Sequence, residues 1–185
     1  MTARSRDIHF DLINASRLGS RDAQYQLYKL YNKAMFNVSL RITNHWEEAE
    51  DVVQESFVKA FRGLDSFRGD SSFGSWLKRI VINDSLTKVK SRKMSFTELD
   101  ERIDQPIEDD AFDKVDQELS VARVKAAMGR LSDGYRTVLS LYLLEGYDHT
   151  EISEILGISE STSKTQYKRA KDRLRVILEE LNDEK

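Results

Sequence analysis

The segment that decides the fold is TEISEILGISESTSKTQYKRA, residues 150–170. Its first third carries apolar residues at helical spacing, and these predict one buried stripe: Ile152, Ile155 and Leu156. Gly157 follows where a tight turn needs a positive φ, and Ile158 returns to the core. The segment therefore predicts two helices joined by a short turn, which is the helix-turn-helix arrangement.

The second helix of this pair has the features of a recognition helix. Ser159 can cap it, with Thr162 in the place where a capping box has glutamate. A recognition helix enters the major groove with its N-terminal part against base edges. A generic pair of packed helices is the alternative, and the polar and basic residues directly after the turn disfavour it. The candidate DNA contacts are Ser159, Ser161, Lys164, Thr165, Lys168 and Arg169.

Residues 131–146 predict a scaffold helix directly upstream. Its apolar residues are expected to close the core of a small domain: Val138, Leu139, Tyr142 and Leu143. Arg136 lies near the start of this helix and is the candidate for a phosphate contact.

The composition favours an all-α fold. Among 185 residues, 39% are hydrophobic and 33% charged, and there are eight glycines and one proline, so little interrupts helices. The absence of cysteine excludes disulfides, thiolate metal sites and cysteine nucleophiles. Residues 1–10 lack the apolar region of a signal peptide, and no stretch approaches the roughly 18 apolar residues of a membrane span. We therefore expect a cytoplasmic protein without membrane insertion.

Charge is distributed in blocks, although the net charge is only −3. Residues 76–93 and 164–175 are strongly basic, whereas residues 98–118 are strongly acidic. Local basic surfaces are what neutralises DNA phosphates, although solvated helix faces would give similar blocks. We predict two small helical domains, residues 1–93 and 116–185, joined by a flexible acidic linker at residues 94–115 that holds the single proline, Pro106.

Residues 131–178 resemble region 4, the domain that binds the minus-35 promoter element, of the extracytoplasmic-function (group 4) sigma factors of the sigma-70 family. The resemblance rests on Tyr135-Arg136, Glu145-Gly146, the Leu-Gly-Ile-Ser turn and the Arg-Ala pair at 169–170. This chain has Ser132 for the family's proline, Ser153 for alanine and Ser163 for valine. We expect the last two hydroxyls to bond to a carbonyl one turn back in their helices.

Residues 8–93 resemble region 2 of the same family. The segment 51–61 matches the part that binds the clamp helices of the large polymerase subunit, and the resemblance implies polymerase contacts at Asp51, Gln54 and Glu55. Without the resemblance, the composition of this acidic segment is typical of an ordinary solvated helix face. Helices are predicted at about 7–17, 22–43, 46–64 and 75–91, with a loop at 67–75.

Residues 67–83 match the family's reader of the minus-10 element. Unstacked bases are bound by aromatic faces, hydrogen-bonding groups and cationic side chains, all of which this stretch supplies. Trp76 and Phe67 have an alternative interpretation as core and loop-anchoring residues. Gly74 departs from the family, where bulkier residues are common. The candidate contacts are Phe67, Asp70, Ser71, Phe73, Trp76, Arg79, Asn83 and Lys88.

The resemblance implies an alternative sigma factor, which binds core RNA polymerase, double-stranded minus-35 DNA and the melted minus-10 strand. It also implies an anti-sigma factor or another regulatory protein as partner. The alternative is a helix-turn-helix regulator that acts without being a polymerase subunit, followed by an interaction protein that mimics a regulator. We expect no enzyme, no cofactor and no metal site, because His9, His45 and His149 are scattered and are best interpreted as surface or capping residues.

Overall fold

The computed structural model describes residues 8–95 and 121–183. All regular secondary structure in these two ranges is helical, which confirms the all-α prediction. The chain divides into two compact units, Met1–Ser95 and Phe96–Lys185. Residues 96–115 of the predicted linker lie outside the described ranges, as does the predicted start of the second domain at residue 116. Residues 94 and 95, also assigned to the linker, instead continue the last helix of the first unit.

The described part of the first unit is a bundle in which α2, α3 and α4 pack against one another and α1 packs against α2. Its elements are α1 (Phe10–Arg17), α2 (Arg21–Thr43), α3 (Trp46–Arg62), a 3₁₀ turn (Leu64–Ser66) and α4 (Phe73–Ser95). Side chains at helical spacing fill the core, among them Leu27, Ile42, Phe57, Leu77 and Val81. Burial of one side chain of this size contributes about 1.5–3 kcal/mol, so these stripes hold the bundle together.

Local signals in the sequence set the ends of α2 and the start of α3. The Ser20 hydroxyl accepts a hydrogen bond from the Ala23 amide at 3.3 Å and caps α2. Asn44 ends the helix in the left-handed conformation, with φ 58°, which asparagine adopts more readily than most residues. Helix α3 then begins at Trp46 with two glutamates in its first turn, where carboxylates favour the helix dipole.

Helix α4 starts at Phe73, inside the segment predicted as a loop. Ser72 accounts for the early start, because its hydroxyl accepts a hydrogen bond from the Ser75 amide at 3.2 Å. Gly74 lies one residue into the helix, against the ring of Tyr31 on α2. A Cβ at position 74 would lie 2.9 Å from Cε1 of that ring, so a larger residue here would require the Tyr31 side chain to shift.

The second unit contains, within the described residues, α5 (Val121–Arg130), α6 (Asp133–Leu143), α7 (His149–Leu156) and α8 (Glu160–Asp183). Helix α8 packs against the other three. The core residues include Ala127, Leu131, Leu139, Ala170 and Ile177.

The predicted inner face of α6 is only partly correct. Val138 and Leu139 are buried as predicted, but Tyr142 is 37% exposed and Leu143 is 54% exposed. Leu141 is fully buried in their place. Leu143 is the final residue of α6, and Tyr142 lies at the edge of the core in a cluster of rings.

Among the helices in the described ranges, none combines the length and the apolar character that a bilayer span requires.

Candidate nucleic-acid interface and adjoining docking surface

The turn between α7 and α8 has the predicted geometry. Gly157 ends α7 in the left-handed region, with φ 67°. The Ser159 hydroxyl then accepts a hydrogen bond from the Thr162 amide at 3.0 Å and caps α8. Both helix ends at the turn are thus fixed by residues of the turn itself.

Helix α7 is fixed at its other end by a complete capping box, which the sequence analysis did not identify. The Asp148 carboxylate accepts from the Glu151 amide at 2.8 Å, and the Glu151 carboxylate accepts from the Asp148 amide at 2.9 Å. The signal was present as an acidic residue followed three positions later by glutamate.

The predicted DNA contacts around the start of α8 share one property, which is exposure to solvent. These residues are Ser159, Ser161, Lys164, Thr165, Lys168 and Arg169. Exposure does not leave these side chains without internal contacts, and the hydroxyls of Ser159 and Ser161 lie 2.9 Å apart. Lys164 Nζ lies 2.6 Å from Glu160 Oε1, and the Thr165 hydroxyl donates to the Ser161 carbonyl at 2.9 Å.

The Glu160–Lys164 pair lies at the start of α8. Its hydrogen bond from Lys164 lowers the pKa of the Glu160 carboxyl. Both side chains are about half exposed, so the pair is weakly stabilising and a phosphate or base edge can compete for the lysine.

The structure contradicts the prediction that Arg136 contacts a DNA phosphate. The residue is only 3% exposed. Its guanidinium donates to the Leu131 carbonyl at 2.8 Å and forms an ion pair with Asp133. These partners close the α5–α6 junction, so Arg136 is a structural residue of the second unit.

Four of the predicted minus-10 contacts are exposed on the loop before α4 and on α4 itself: Asp70, Ser71, Arg79 and Asn83. Trp76 and Lys88 are partly exposed. These residues lie along one stretch of the first unit and leave hydrogen-bonding and cationic groups open to solvent. The arrangement suits contact with a nucleic-acid strand.

The structure contradicts the predicted base contacts of Phe67 and Phe73, because neither ring presents a face on which a base can stack. Phe73 is fully buried and Phe67 is 8% exposed. Their ring centroids lie 5.8 Å apart, and Trp76 lies 5.3 Å from Phe67 and 5.8 Å from Phe73. The two phenylalanines therefore anchor the loop beneath its exposed polar residues.

Arg17 on α1 is a positioning residue that the sequence analysis missed. Its guanidinium donates to the Leu64 carbonyl at 3.3 Å and to the Phe67 carbonyl at 3.1 Å. Through these two hydrogen bonds, α1 holds the start of the loop in place. No local signal identifies this contact, because about 50 residues separate the partners.

The predicted polymerase contacts, Asp51, Gln54 and Glu55, are all exposed on α3. A groove of about 190 Å³ lies beside them, between α2 and α3. Its lining consists of Tyr28, Asn32, Lys33, Phe36, Trp46, Glu50, Val53 and Gln54. Trp46 is 58% exposed and its ring lies 4.5 Å from that of Phe36, so the groove has an apolar rim that the sequence analysis did not single out.

Ion pairs join α3 to α4. Glu48 pairs with Arg92 at 3.3 Å, Asp51 with Lys88 at 3.7 Å and Lys59 with Asp84 at 2.8 Å. The Ser56 hydroxyl also donates to Asp84 at 2.8 Å. The hydrogen bond to Asp84 raises the pKa of Lys59. The helix with the predicted polymerase contacts and the helix with the predicted DNA contacts are thus linked along their length.

His149 is partly buried and does not cap α7, so the sequence prediction of a surface or capping residue misses its contacts within the unit. Its ring stacks on Tyr142, with centroids 4.6 Å apart and planes at 21°, and its Nδ1 lies 2.9 Å from the Ser163 hydroxyl. The expected bond of Ser163 to a carbonyl of its own helix is therefore replaced by a bond between helices. For Ser153 the expectation holds, since its hydroxyl donates to the Thr150 carbonyl at 2.7 Å.

Comparison with known proteins matches both units. The family profile of Sigma-70 region 2 covers residues 27–94, and that of Sigma-70, region 4 covers residues 122–174. The chain is similar to the ECF RNA polymerase sigma factor SigM of Mycobacterium tuberculosis, with 30% identity over 93% of this chain and 85% of that protein. It is similar to the ECF RNA polymerase sigma factor SigW of Bacillus subtilis, also with 30% identity, over 91% of this chain and 96% of that protein.

Two solved structures are similar to the chain. One is the sigma factor RpoE in complex with the anti-sigma factor NepR from Bartonella quintana, with a TM-score of 0.59 and 25% identity over 84% of this chain and 96% of that one. The other is CnrH in complex with the cytosolic domain of CnrY, with a TM-score of 0.55 and 24% identity over 91% of this chain and 95% of that one. The second likeness concerns the fold alone.

Proposed function

The chain belongs to the extracytoplasmic-function group of the sigma-70 family and is an alternative sigma factor, and from that premise we propose how its two units divide the work of transcription initiation. The first unit docks on core RNA polymerase and reads the melted minus-10 element. The second unit reads the double-stranded minus-35 element. The observation that carries this proposal is the presence of regions 2 and 4 in one chain, in that order.

We assign docking on polymerase to the exposed face of α3. Asp51, Gln54 and Glu55 present an acidic, polar surface there, and the groove between α2 and α3 adds the exposed ring of Trp46. A partner with basic side chains around an apolar anchor fits this combination. Charge would steer the encounter, and burial of the tryptophan would stabilise the complex.

Reading of the minus-10 strand is assigned to the loop before α4 and to α4. Asp70, Ser71 and Asn83 supply hydrogen-bonding groups, and Arg79 and Lys88 supply positive charge for the backbone. The partly exposed ring of Trp76 is the remaining aromatic candidate for stacking on a base. Phe67 and Phe73 support this surface from beneath.

Reading of the minus-35 element is assigned to α8. Lys164 and Thr165 lie one helical turn before Lys168 and Arg169, so the four side chains share one face. We propose that residues 96–115 connect the units as a linker. When both units are held on polymerase, each contact with DNA becomes nearly intramolecular, so modest individual contacts suffice.

An anti-sigma factor or a comparable regulatory protein is the proposed controlling partner, and RpoE, which is bound to the anti-sigma factor NepR, is a structural relative that supports this. The proposed place of action is the cytoplasm, and we propose no enzymatic activity. The role needs binding surfaces rather than catalytic residues.

The test is transcription in vitro with purified core polymerase on genomic fragments, with start sites mapped. We expect transcripts that require the chain and start downstream of a shared pair of sequence elements. Binding of the chain alone to promoter DNA, with no transcript that depends on it, would instead indicate a helix-turn-helix regulator that is not a polymerase subunit.

A further inference from the structure

The bond between His149 and Ser163 lies inside the helix-turn-helix, and neither residue belongs to the exposed DNA-contact row. From its geometry we infer that His149 is a positioning residue that fixes the rotation of α8 and thereby determines which base edges its exposed side chains reach. The inference rests on the proposed function of α8 in DNA reading. It adds a residue that acts on specificity without touching DNA.

The first support is the burial of the bond. Ser163 is fully buried in the first turns of α8, and its hydroxyl shares a hydrogen bond with His149 Nδ1 at 2.9 Å. An unpaired hydroxyl at such a position loses its hydration without compensation. Orientations of α8 that keep this bond are therefore favoured over those that break it.

The second support is the cluster of rings around the imidazole. His149, the first residue of α7, stacks on Tyr142 of α6, and Tyr167 of α8 lies edge-on at 5.6 Å. Tyr142 and Tyr167 are themselves 4.5 Å apart. The imidazole thus contacts α6 and α8 at once, and its own backbone is held by the capping box of α7.

The position of Ser163 explains why this bond acts on rotation. Lys164 and Thr165 directly follow it, and Ser163 faces inward while they face outward. A group about 6 Å from the helix axis moves by about 1 Å when the helix rotates by about 10°. A displacement of that size is enough to lengthen or misalign a hydrogen bond to a base edge.

The sequence supplies a further argument. A valine at position 163 would only pack, whereas this chain has a serine with a histidine as its partner. The polar pair replaces a non-directional contact with a directional one. The two residues are therefore expected to depend on each other.

The experiment compares two isosteric changes of His149. His149→Asn places a polar atom where Nδ1 lies, whereas His149→Gln removes the polar atom from that position. Ser163→Ala removes the hydroxyl. The matched control is His45→Gln, at an exposed histidine before α3 that makes no capping bond with its side chain.

The measurement is the ratio of transcripts from two promoters that differ only in the minus-35 element, transcribed in one reaction with core polymerase. This ratio does not depend on the active fraction of a variant. We expect His149→Gln and Ser163→Ala each to change the ratio by roughly fivefold, a sizeable part of the discrimination of one good base contact. His149→Asn and His45→Gln should retain the wild-type ratio, and the double variant His149→Gln with Ser163→Ala should change it no more than either single variant.

Wild-type ratios in both His149→Gln and Ser163→Ala would overturn the inference, and so would additive effects in the double variant. A wild-type chain that gives no polymerase-dependent transcript would instead overturn the proposed function. The two failures are therefore distinguishable within one set of reactions.

Discussion

Asp51 on α3 and Lys88 on α4 form an ion pair in which the carboxylate Oδ2 lies 3.7 Å from the lysine Nζ. The carboxylate belongs to the proposed polymerase surface, and the lysine belongs to the proposed minus-10 surface. The side chains are 63% and 38% exposed, so the pair itself adds little to stability. Its importance is that a change at one surface alters the charge environment of the other.

The first prediction concerns docking on polymerase. Asp51→Arg and Glu55→Arg should each weaken the complex with core polymerase, because they reverse the charge of the proposed contact. Co-elution on a sizing column and titration with labelled protein would measure the loss. Glu179→Arg, at an exposed position late in α8, is the control and should bind as the wild type does. If Asp51→Arg and Glu55→Arg bind core polymerase with the same affinity as the wild type and Glu179→Arg, then α3 is not part of the docking surface.

The second prediction concerns promoter opening. Asn83→Ala and Asp70→Ala should reduce open-complex formation while polymerase binding stays intact, since these exposed groups are proposed to contact bases only after unstacking. Permanganate footprinting of the minus-10 region measures the unstacked thymines. Ser91→Ala, an exposed residue farther along α4, should open promoters normally. If permanganate reactivity is unchanged in Asn83→Ala and Asp70→Ala, neither residue contacts unstacked bases and both have a purely structural role.

A third prediction concerns base reading by α8. Lys164→Ala and Arg169→Ala should lose selectivity at particular base pairs of the upstream element, by about 1–3 kcal/mol for a good bidentate contact. Transcription of a promoter library by each variant would locate the affected positions. Arg175→Ala, an exposed arginine farther along the helix, should leave the base preferences unchanged. If Lys164→Ala and Arg169→Ala weaken all sequences equally, the two residues contact only phosphates, and Ser161 and Thr165 become the next candidates for base reading.

The fourth prediction concerns the stability of the second unit. Arg136→Ala leaves the Leu131 carbonyl and Asp133 without their guanidinium partner, so it should lower the free energy of unfolding by about 1–3 kcal/mol. Urea denaturation of the full chain, followed by circular dichroism, would measure this. Arg169→Ala removes an exposed arginine and should leave the denaturation curve unchanged. An Arg136→Ala variant that is as stable as the wild type but binds DNA more weakly would instead support the phosphate contact predicted from the sequence.

The sequence predicted the features of the structure that depend on neighbouring residues. Gly157 and Ser159 set the turn and the cap of α8, and both signals are local. Phe73 was predicted to contact a base and Arg136 a phosphate, because aromatic and cationic side chains make such contacts. The same chemistry suits packing and internal hydrogen bonds, and only the tertiary structure distinguishes these uses. The bond between His149 and Ser163 spans 14 residues, so no local pattern predicts it.

The contact of Gly74 with Tyr31 constrains the order in which this sequence can change. A Cβ at position 74 would lie 2.9 Å from the Tyr31 ring, which is itself packed 5.3 Å from the ring of Phe73, so the tyrosine must shift to admit a side chain there. A bulkier residue at 74 is therefore tolerated more easily once position 31 is smaller, because with tyrosine at 31 the ring has to move. We therefore expect the two positions to be epistatic, so that the effect of a side chain at 74 depends on which residue occupies position 31.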